Sequence, residues 1–263
     1  MADTAPLGRF CWYELMTPDP TAAEEFYPAV TGWGTEVWEG GGMPYTMWMN
    51  GEAAVGGVGE LPEEAREAGA PPHWLAYVST PDCDATLEAV GRLGGRTVWG
   101  PVDVPEVGRV AGFADPHGAV LALHQPAGGS PPEADRSRPG WFSWHELASD
   151  DWRASRNFYG ELFGWKDAGE QDMGPELGIY RMFADDPTAP EGVATGGMFD
   201  RGDSIPMAAW SLYVSVPELD AALEEVDARG GEVVHGPMEV PGGDRVAQCV
   251  DPQGAVFALH AAG

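Results

Sequence analysis

The chain has 263 residues, 43% of them hydrophobic, and 11 tryptophans, which is enough apolar material for a real core and rules out a disordered polymer. Fourteen basic residues against 42 acidic ones leave a net charge of −28, a surface that repels nucleic acid and anionic membranes and excludes both as partners. Three cysteines without CxxC spacing (Cys11, Cys83 and Cys249) argue against a disulfide framework or a thiolate metal site. No apolar run nears the ~18–20 residues of a membrane span, and the Met-Ala-Asp-Thr-Ala-Pro start has no basic or apolar leader, so a cytoplasmic protein is expected.

Residues 9–16 alternate around Phe10, Trp12 and Glu14, the period of a half-buried strand. Asp19-Pro20 then reads as an N-cap followed by proline at the first helical position, opening a helix through Phe26-Tyr27 that Gly32 ends. Three strand-like runs follow near 34–39, 44–49 and 53–58. A second strand-helix pair occupies 73–79 and the segment after Asp82, with Leu87, Val90 and Leu93 as the apolar stripe and Gly94-Gly95 as the stop. Three more runs lie near 96–99, 108–114 and 119–124.

The whole series then repeats. Gly8, Phe10, Trp12, Glu14, Leu15, Phe26, Tyr27, Gly32 and Trp33 recur at a constant offset of 132, from Gly140 and Phe142 to Gly164 and Trp165. Further on, Gly100-Pro101, Arg109-Val110-Ala111 and Asp115-Pro116-His117-Gly118-Ala119 recur as Gly236-Pro237, Arg245-Val246-Ala247 and Asp251-Pro252-Gln253-Gly254-Ala255, so four residues entered the second copy. The domains are therefore 8–126 and 140–262, joined by a linker at 127–139 rich in proline, glycine and charge. The second copy's last helix carries Leu219, Leu223 and Val226 on one face.

Strand, helix and three strands, four times over, with FY late in the first helix and DPxGA before the last strand, resembles the vicinal oxygen chelate superfamily of glyoxalases, bleomycin-resistance proteins and extradiol dioxygenases. The resemblance covers nearly the whole chain, in the form of its duplicated actinomycete branch. It implies an α+β protein of two tandem domains, each of two β-α-β-β-β modules forming a cupped eight-stranded mixed sheet. A duplicated chain can supply internally what single-copy relatives obtain by pairing, so a monomer is expected, with a homodimer as the alternative.

Metal-dependent members place His, Glu or Gln inside the cup. The corresponding places here hold Trp12 and Trp144, Leu75 and Ser211, Ala122 and Ala258, and the glycine pairs Gly56-Gly57 and Gly196-Gly197. Only Ser211 carries a side chain able to bind an ion, so no metal ligand is assigned and no cofactor is expected, a divalent metal being the alternative. Two positions along the same strands, on the same face, stand Glu14, Tyr77 and His124 in the first copy and Glu146, Tyr213 and His260 in the second.

Two roles are open to these trios. They bind a polar group of a small molecule, with Trp12, Tyr77, Trp144 and Tyr213 lining the site, or they move a proton, with Glu14, His124, Glu146 and His260 as the catalytic candidates. A purely structural role, in which each glutamate orders its barrel, competes with both. The favoured expectation is a metal-independent small-molecule-binding protein that captures a metabolite or antibiotic in an aromatic-lined cup. The alternatives are a lyase, isomerase or dioxygenase-like enzyme and a degenerate domain kept for protein contact. His145 is expected to point away from the cup, His117 and His235 to lie in loops, His73 to face the first cup or the surface, and Arg109 and Arg245 to form salt bridges.

Overall fold

The computed structural model describes residues 5–40, 44–128, 135–136, 138–175 and 178–263. The first copy runs β1 (Phe10–Thr17), α1 (Pro20–Thr31), β2 (Gly34–Trp38), β3 (Tyr45–Asn50), β4 (Ala53–Glu60), α2 (Glu63–Glu67), β5 (His73–Ser79), α3 (Cys83–Arg92), β6 (Arg96–Val104), β7 (Gly108–Ala114) and β8 (Val120–Pro126). The second runs β9 (Phe142–Ser149), α4 (Trp152–Phe163), β10 (Lys166–Asp172), β11 (Ile179–Ala184), β12 (Gly196–Asp200), β13 (Ala209–Ser215), α5 (Leu219–Ala228), β14 (Glu232–Glu239), β15 (Arg245–Val250) and β16 (Val256–Ala261). Each copy makes one mixed eight-stranded sheet, ordered β2-β3-β4-β1-β5-β8-β7-β6 and β10-β11-β12-β9-β13-β16-β15-β14. This is the expected α+β architecture of four β-α-β-β-β modules. Most of the central linker, 129–134 and 137, lies outside the described residues.

The helix boundaries follow from capping. Asp19 accepts from the Ala22 N–H at 3.0 Å and Gly32 closes α1 in the left-handed region at φ 79°. Asp151 and Gly164 (φ 75°) do the same for α4. Three details depart from expectation. The short α2 carries its acidic Glu63 and Glu64 at its N-terminal end, where the helix dipole favours them, and buries nothing. The buried stripe of α3 is Cys83, Thr86 and Val90, leaving Leu87 and Leu93 half-buried. β14 and β6 both run on through their Gly-Pro pairs, with register shifts against β15 and β7, so His235 sits in a strand rather than a loop.

Packing divides the chain differently from the sheets. One compact unit comprises Met1–Cys11, Ala76–Glu133 and Trp144–Trp210, and the other Trp12–Leu75, Ala134–Ser143 and Ser211–Gly263. Each unit joins one module from each copy, and the repeated landmarks are what join them. In the second unit, the Tyr27 hydroxyl donates to Asp251 Oδ2 at 2.9 Å and accepts from Trp74 Nε1 at 2.9 Å. In the first, Tyr159 donates to Asp115 Oδ2 at 3.1 Å and accepts from Trp210 Nε1 at 3.2 Å. Trp33 Nε1 reaches the Gly140 carbonyl at 2.8 Å, and Trp165 Nε1 the Gly8 carbonyl at 2.6 Å. Phe142 stacks on Tyr13 at 3.7 Å, and Phe10 stacks on His145 at 3.8 Å.

These contacts explain the motifs physically. The DPxGA aspartate closes its turn by accepting the N–H groups of residues two and four positions on, and its second oxygen takes the tyrosine of the other copy. Every polar atom of the Trp-Tyr-Asp chain is thereby paired inside an aromatic core, where an unpaired one costs about 1–3 kcal/mol. Burial raises the carboxyl groups of Asp115 and Asp251 above their ordinary range despite these bonds.

Candidate ligand-binding site

β1 has two faces. Tyr13, Leu15 and Thr17 are buried toward α1, whose Tyr27 lies 5.8 Å from the ring of Trp48 on β3. The opposite face carries the half-buried Trp12, Glu14 and Met16. Register fixes their neighbours: Glu14 lies beside Gly57 on β4, and Gly57 beside Met47 on β3, so Tyr45 stands on this same face two residues earlier. Trp12 Nε1 donates to the Tyr45 hydroxyl at 3.3 Å, and Tyr45 in turn donates to the Glu14 carboxylate. Burial, followed by the Glu14 charge, pushes the Tyr45 phenol well above its ordinary range, so it stays a donor.

The second copy repeats the arrangement. Glu146 pairs in register with Gly197, and Gly197 with Met182. Trp144 Nε1 donates to the Tyr180 hydroxyl at 2.7 Å, and Tyr180 donates to Glu146 Oε2 at 2.9 Å. Phe199 stacks against Tyr180 at 6.0 Å. The glycines make the site: a Cβ at Gly57 or Gly197 would fall on the ring of Tyr45 or Tyr180. Each unit thus presents a tryptophan whose ring is fixed by a Trp-Tyr-Glu hydrogen-bond chain on the sheet face away from its helix.

The structure therefore brings Trp12 together with Glu14, and Trp144 with Glu146, through tyrosines that strand alternation alone did not reveal. Tyr45 and Tyr180 recur between the copies, which was the available signal. Tyr77 and His124 belong to the compact unit that does not contain Glu14. Likewise Tyr213 and His260 belong to the unit without Glu146. Tyr77 is 8% exposed beside Ala122, and Tyr213 accepts from Gln248 Nε2 at 3.3 Å.

His124 sits with Nε2 3.1 Å from the Val107 carbonyl and Nδ1 3.8 Å from Cys11 Sγ. Burial lowers its pKa, partly opposed by the Val107 bond. The sign for stability follows: as pH falls through the ordinary histidine value near 6.5 the unfolded chain takes up a proton that the folded chain refuses. Stability contributed by keeping this ring neutral is present above that pH and lost below it. His124→Gln is expected to flatten the fall of Tm between pH 6.5 and acid, read by thermal melts across that range; an unchanged slope contradicts it.

The remaining expectations resolve simply. His145 is fully buried away from Trp144, with Nδ1 2.9 Å from the Thr195 carbonyl. His73 bonds the Pro71 carbonyl at 2.8 Å, and His117 lies in its turn 4.0 Å from Asp150. Arg109 pairs with Asp84 and Asp103 at 2.9 and 2.8 Å, and Arg245 with Asp220 at 2.8 Å. Cysteines 11, 83 and 249 are free thiols. Burial pushes Cys83 up to about 11 and Cys249 to about 12, so neither is a nucleophile at neutral pH.

The donor set does not match the divalent ion that the fold implies. Among the described residues no three His, Cys, Asp or Glu side chains converge. The ligand places on the first strands hold indoles, whose N–H groups only donate, and Tyr45 and Tyr180 already bond Glu14 and Glu146. These residues do not fit an octahedral ion.

Two modules per sheet, twice, define a duplicated α+β protein of four β-α-β-β-β modules. The sequence pattern of the Glyoxalase/Bleomycin resistance protein/Dioxygenase superfamily matches residues 9–123 and 141–259, and the chain belongs to this family. It is 31% identical to the "Putative glyoxylase CFP32" of Mycobacterium tuberculosis, over 94% of this chain and 92% of that protein. It is 30% identical to the anthracycline biosynthesis protein DauV of a Streptomyces species, over 96% of this chain and 92% of that protein. Its fold is similar to the Mn(II)-bound glyoxalase of Novosphingobium aromaticivorans, with a TM-score of 0.61 at 15% identity over 99% of this chain and 83% of that one.

Proposed function

We propose that this protein binds a small, flat aromatic metabolite or antibiotic in an aromatic-lined cup and does so without a divalent metal. The observation that carries this reading is the Trp-Tyr-Glu chain, built twice. It fixes the indole planes of Trp12 and Trp144 at the places where an ion would need ligands, and leaves each ring face as a stacking wall. Tyr77 and Tyr213 are taken as further lining residues. Relatives in anthracycline biosynthesis support a fused-ring ligand, and the net charge of −28 favours a cationic one through steering. The same charge argues against nucleic acid and anionic lipid as partners, and among the described residues no helix is long and apolar enough to cross a membrane. A cytoplasmic monomer completes the reading.

Titration of the intact protein with an anthraquinone-type aglycone, followed by tryptophan fluorescence, tests it. Saturable quenching is expected, weakened roughly two- to tenfold by loss of the stacking rings in Trp12→Leu with Trp144→Leu, since one aromatic stack contributes about 0.5–1.5 kcal/mol beyond burial. Quenching that is unsaturable, or untouched by the double variant, contradicts the reading.

A second reading is favoured by the 31% identity to a glyoxylase-named relative. In it the chain is a lyase, isomerase or dioxygenase-like enzyme in which Glu14, His124, Glu146 and His260 move protons, with or without a metal. Turnover of a carbonyl substrate that is lost in both His124→Ala and Glu14→Gln would replace the binding proposal.

A further inference from the structure

The copies differ in one place where chemistry could enter. In the second copy, Ser143 Oγ lies 3.0 Å from His260 Nδ1, and His260 Nε2 lies 3.0 Å from Asp244 Oδ2. All three belong to one compact unit. A carboxylate only accepts, so the imidazole proton sits on Nε2, and Nδ1 presents its lone pair to the serine O–H. The His260 ring, with the Gly263 N–H, holds the Asp244 carboxyl below its ordinary range and therefore ionised. The side chains of His260 and Asp244 are 19% and 42% exposed and Ser143 is half-buried, so solvent reaches the group. The serine's other neighbour, the Tyr213 carbonyl, is farther off at 3.4 Å.

The first copy lacks this arrangement. Cys11 and His124 stand in place of Ser143 and His260, and the position of Asp244 is Gly108. A side chain cannot be placed there: φ is 135°, and a Cβ would meet the Gln125 carbonyl and lie 2.8 Å from the Ala127 nitrogen. The Val107 carbonyl takes the imidazole N–H instead. Burial, with Asp185 nearby, pushes the Cys11 thiol far above its ordinary range, so it stays protonated. In the second copy Gly242 and Gly243, at φ 114° and 95°, make the turn that delivers Asp244.

We propose that Ser143, His260 and Asp244 form a nucleophilic site that hydrolyses a small ester through an acyl-serine. Ser143 Oγ bonds to the ester carbonyl carbon while its proton passes to His260 Nδ1. Collapse breaks the carbon–oxygen bond to the alcohol, which leaves with that proton. Water then attacks the acyl-serine, gives a proton to His260 and releases the carboxylic acid, and His260 returns the proton to Ser143 Oγ. No oxidant, metal or other co-reactant is needed. Asp244 touches no substrate and acts as a positioning residue that holds the ring's tautomer and stabilises its cation.

The test treats the intact protein with a fluorophosphonate probe, maps the modified peptide by mass spectrometry and follows p-nitrophenyl acetate hydrolysis. Phosphonylation at Ser143 is expected, absent in Ser143→Ala and at least about 100-fold slower in His260→Gln, the usual contribution of a positioned base. Asp244→Asn is expected to slow labelling in a variant that melts like the parent, and Asp244→Glu to restore part of the rate, a rescue that a merely structural carboxylate would not produce. An unmodified Ser143, or a labelling rate indifferent to His260→Gln in a variant that melts like the parent, overturns the proposal. If His260→Gln does not fold, Ser143→Ala alone decides: hydrolysis that persists in it is equally fatal.

Discussion

Asp251→Ala is expected to lower the unfolding free energy by about 3 kcal/mol, roughly 6–12 °C in Tm for a chain of this size. The residue is 3% exposed. Its carboxylate is the acceptor for the Tyr27 hydroxyl and for the N–H groups of Gln253 and Ala255, so truncation orphans three donors at once. Trp74 then donates to a phenol that has lost its own acceptor. Asp251→Asn keeps one oxygen for the turn and is expected to cost about 1 kcal/mol. The charge itself works against the fold: because burial raises the Asp251 carboxyl, stability from this residue grows as pH falls through its folded value, and is smallest at neutral pH. Thermal melts of the two variants read both effects. An alanine variant as stable as the parent would show that the chain of bonds contributes nothing.

The second large effect separates two adjacent glycines. A Cβ at Gly196 would fall on the His145 carbonyl and 2.6 Å from the Phe183 ring. Gly196 pairs with His145 in the parallel β9–β12 ladder, so backbone would have to move, and the loss should sit at the upper end of the usual 1–3 kcal/mol for overpacking. At Gly197 the three nearest atoms all belong to the Tyr180 side chain rather than to backbone. Gly197→Ala is therefore expected to cost less stability while swinging Tyr180 off Glu146, which frees Trp144 and, on the proposed function, weakens aromatic-ligand binding from that copy. Melts and fluorescence titrations together check the pair; equal losses of stability at both glycines contradict the distinction.

The modules were legible in the sequence because turn chemistry is local. Asp19-Pro20, Gly32, Asp82 and the DPxGA turns each state their conformation within a few residues, and the duplication repeats the Gly32 stop at Gly164 and the DPxGA turn at Asp251. What could not be read was partnership. Tyr27 faces an identical choice of Asp115 or Asp251, since both copies carry the same motif, and only packing selects the distant one. The candidate site was half legible for a similar reason. Alternation placed Trp12 and Glu14 on one side of β1, but joining them to Tyr45 requires the register of two further strands. His235 reads as a loop residue in sequence because its Gly-Pro neighbour is a turn signal, which β14 overrides with register shifts against β15. Asp244 carries no signal in the repeat because its counterpart, Gly108, is a glycine.

Since each compact unit takes one module from either repeat, a severed repeat would lack half of its own core, including the acceptor for its FY tyrosine. Two severed repeats could still satisfy one another by reciprocal exchange, but only as fast as they collide. The covalent tether replaces that encounter with a local concentration in roughly the millimolar range, which makes assembly indifferent to dilution. It also lets the two halves diverge: Ser143 and Asp244 can arise on one side while Cys11 and Gly108 persist on the other, a freedom denied to identical subunits.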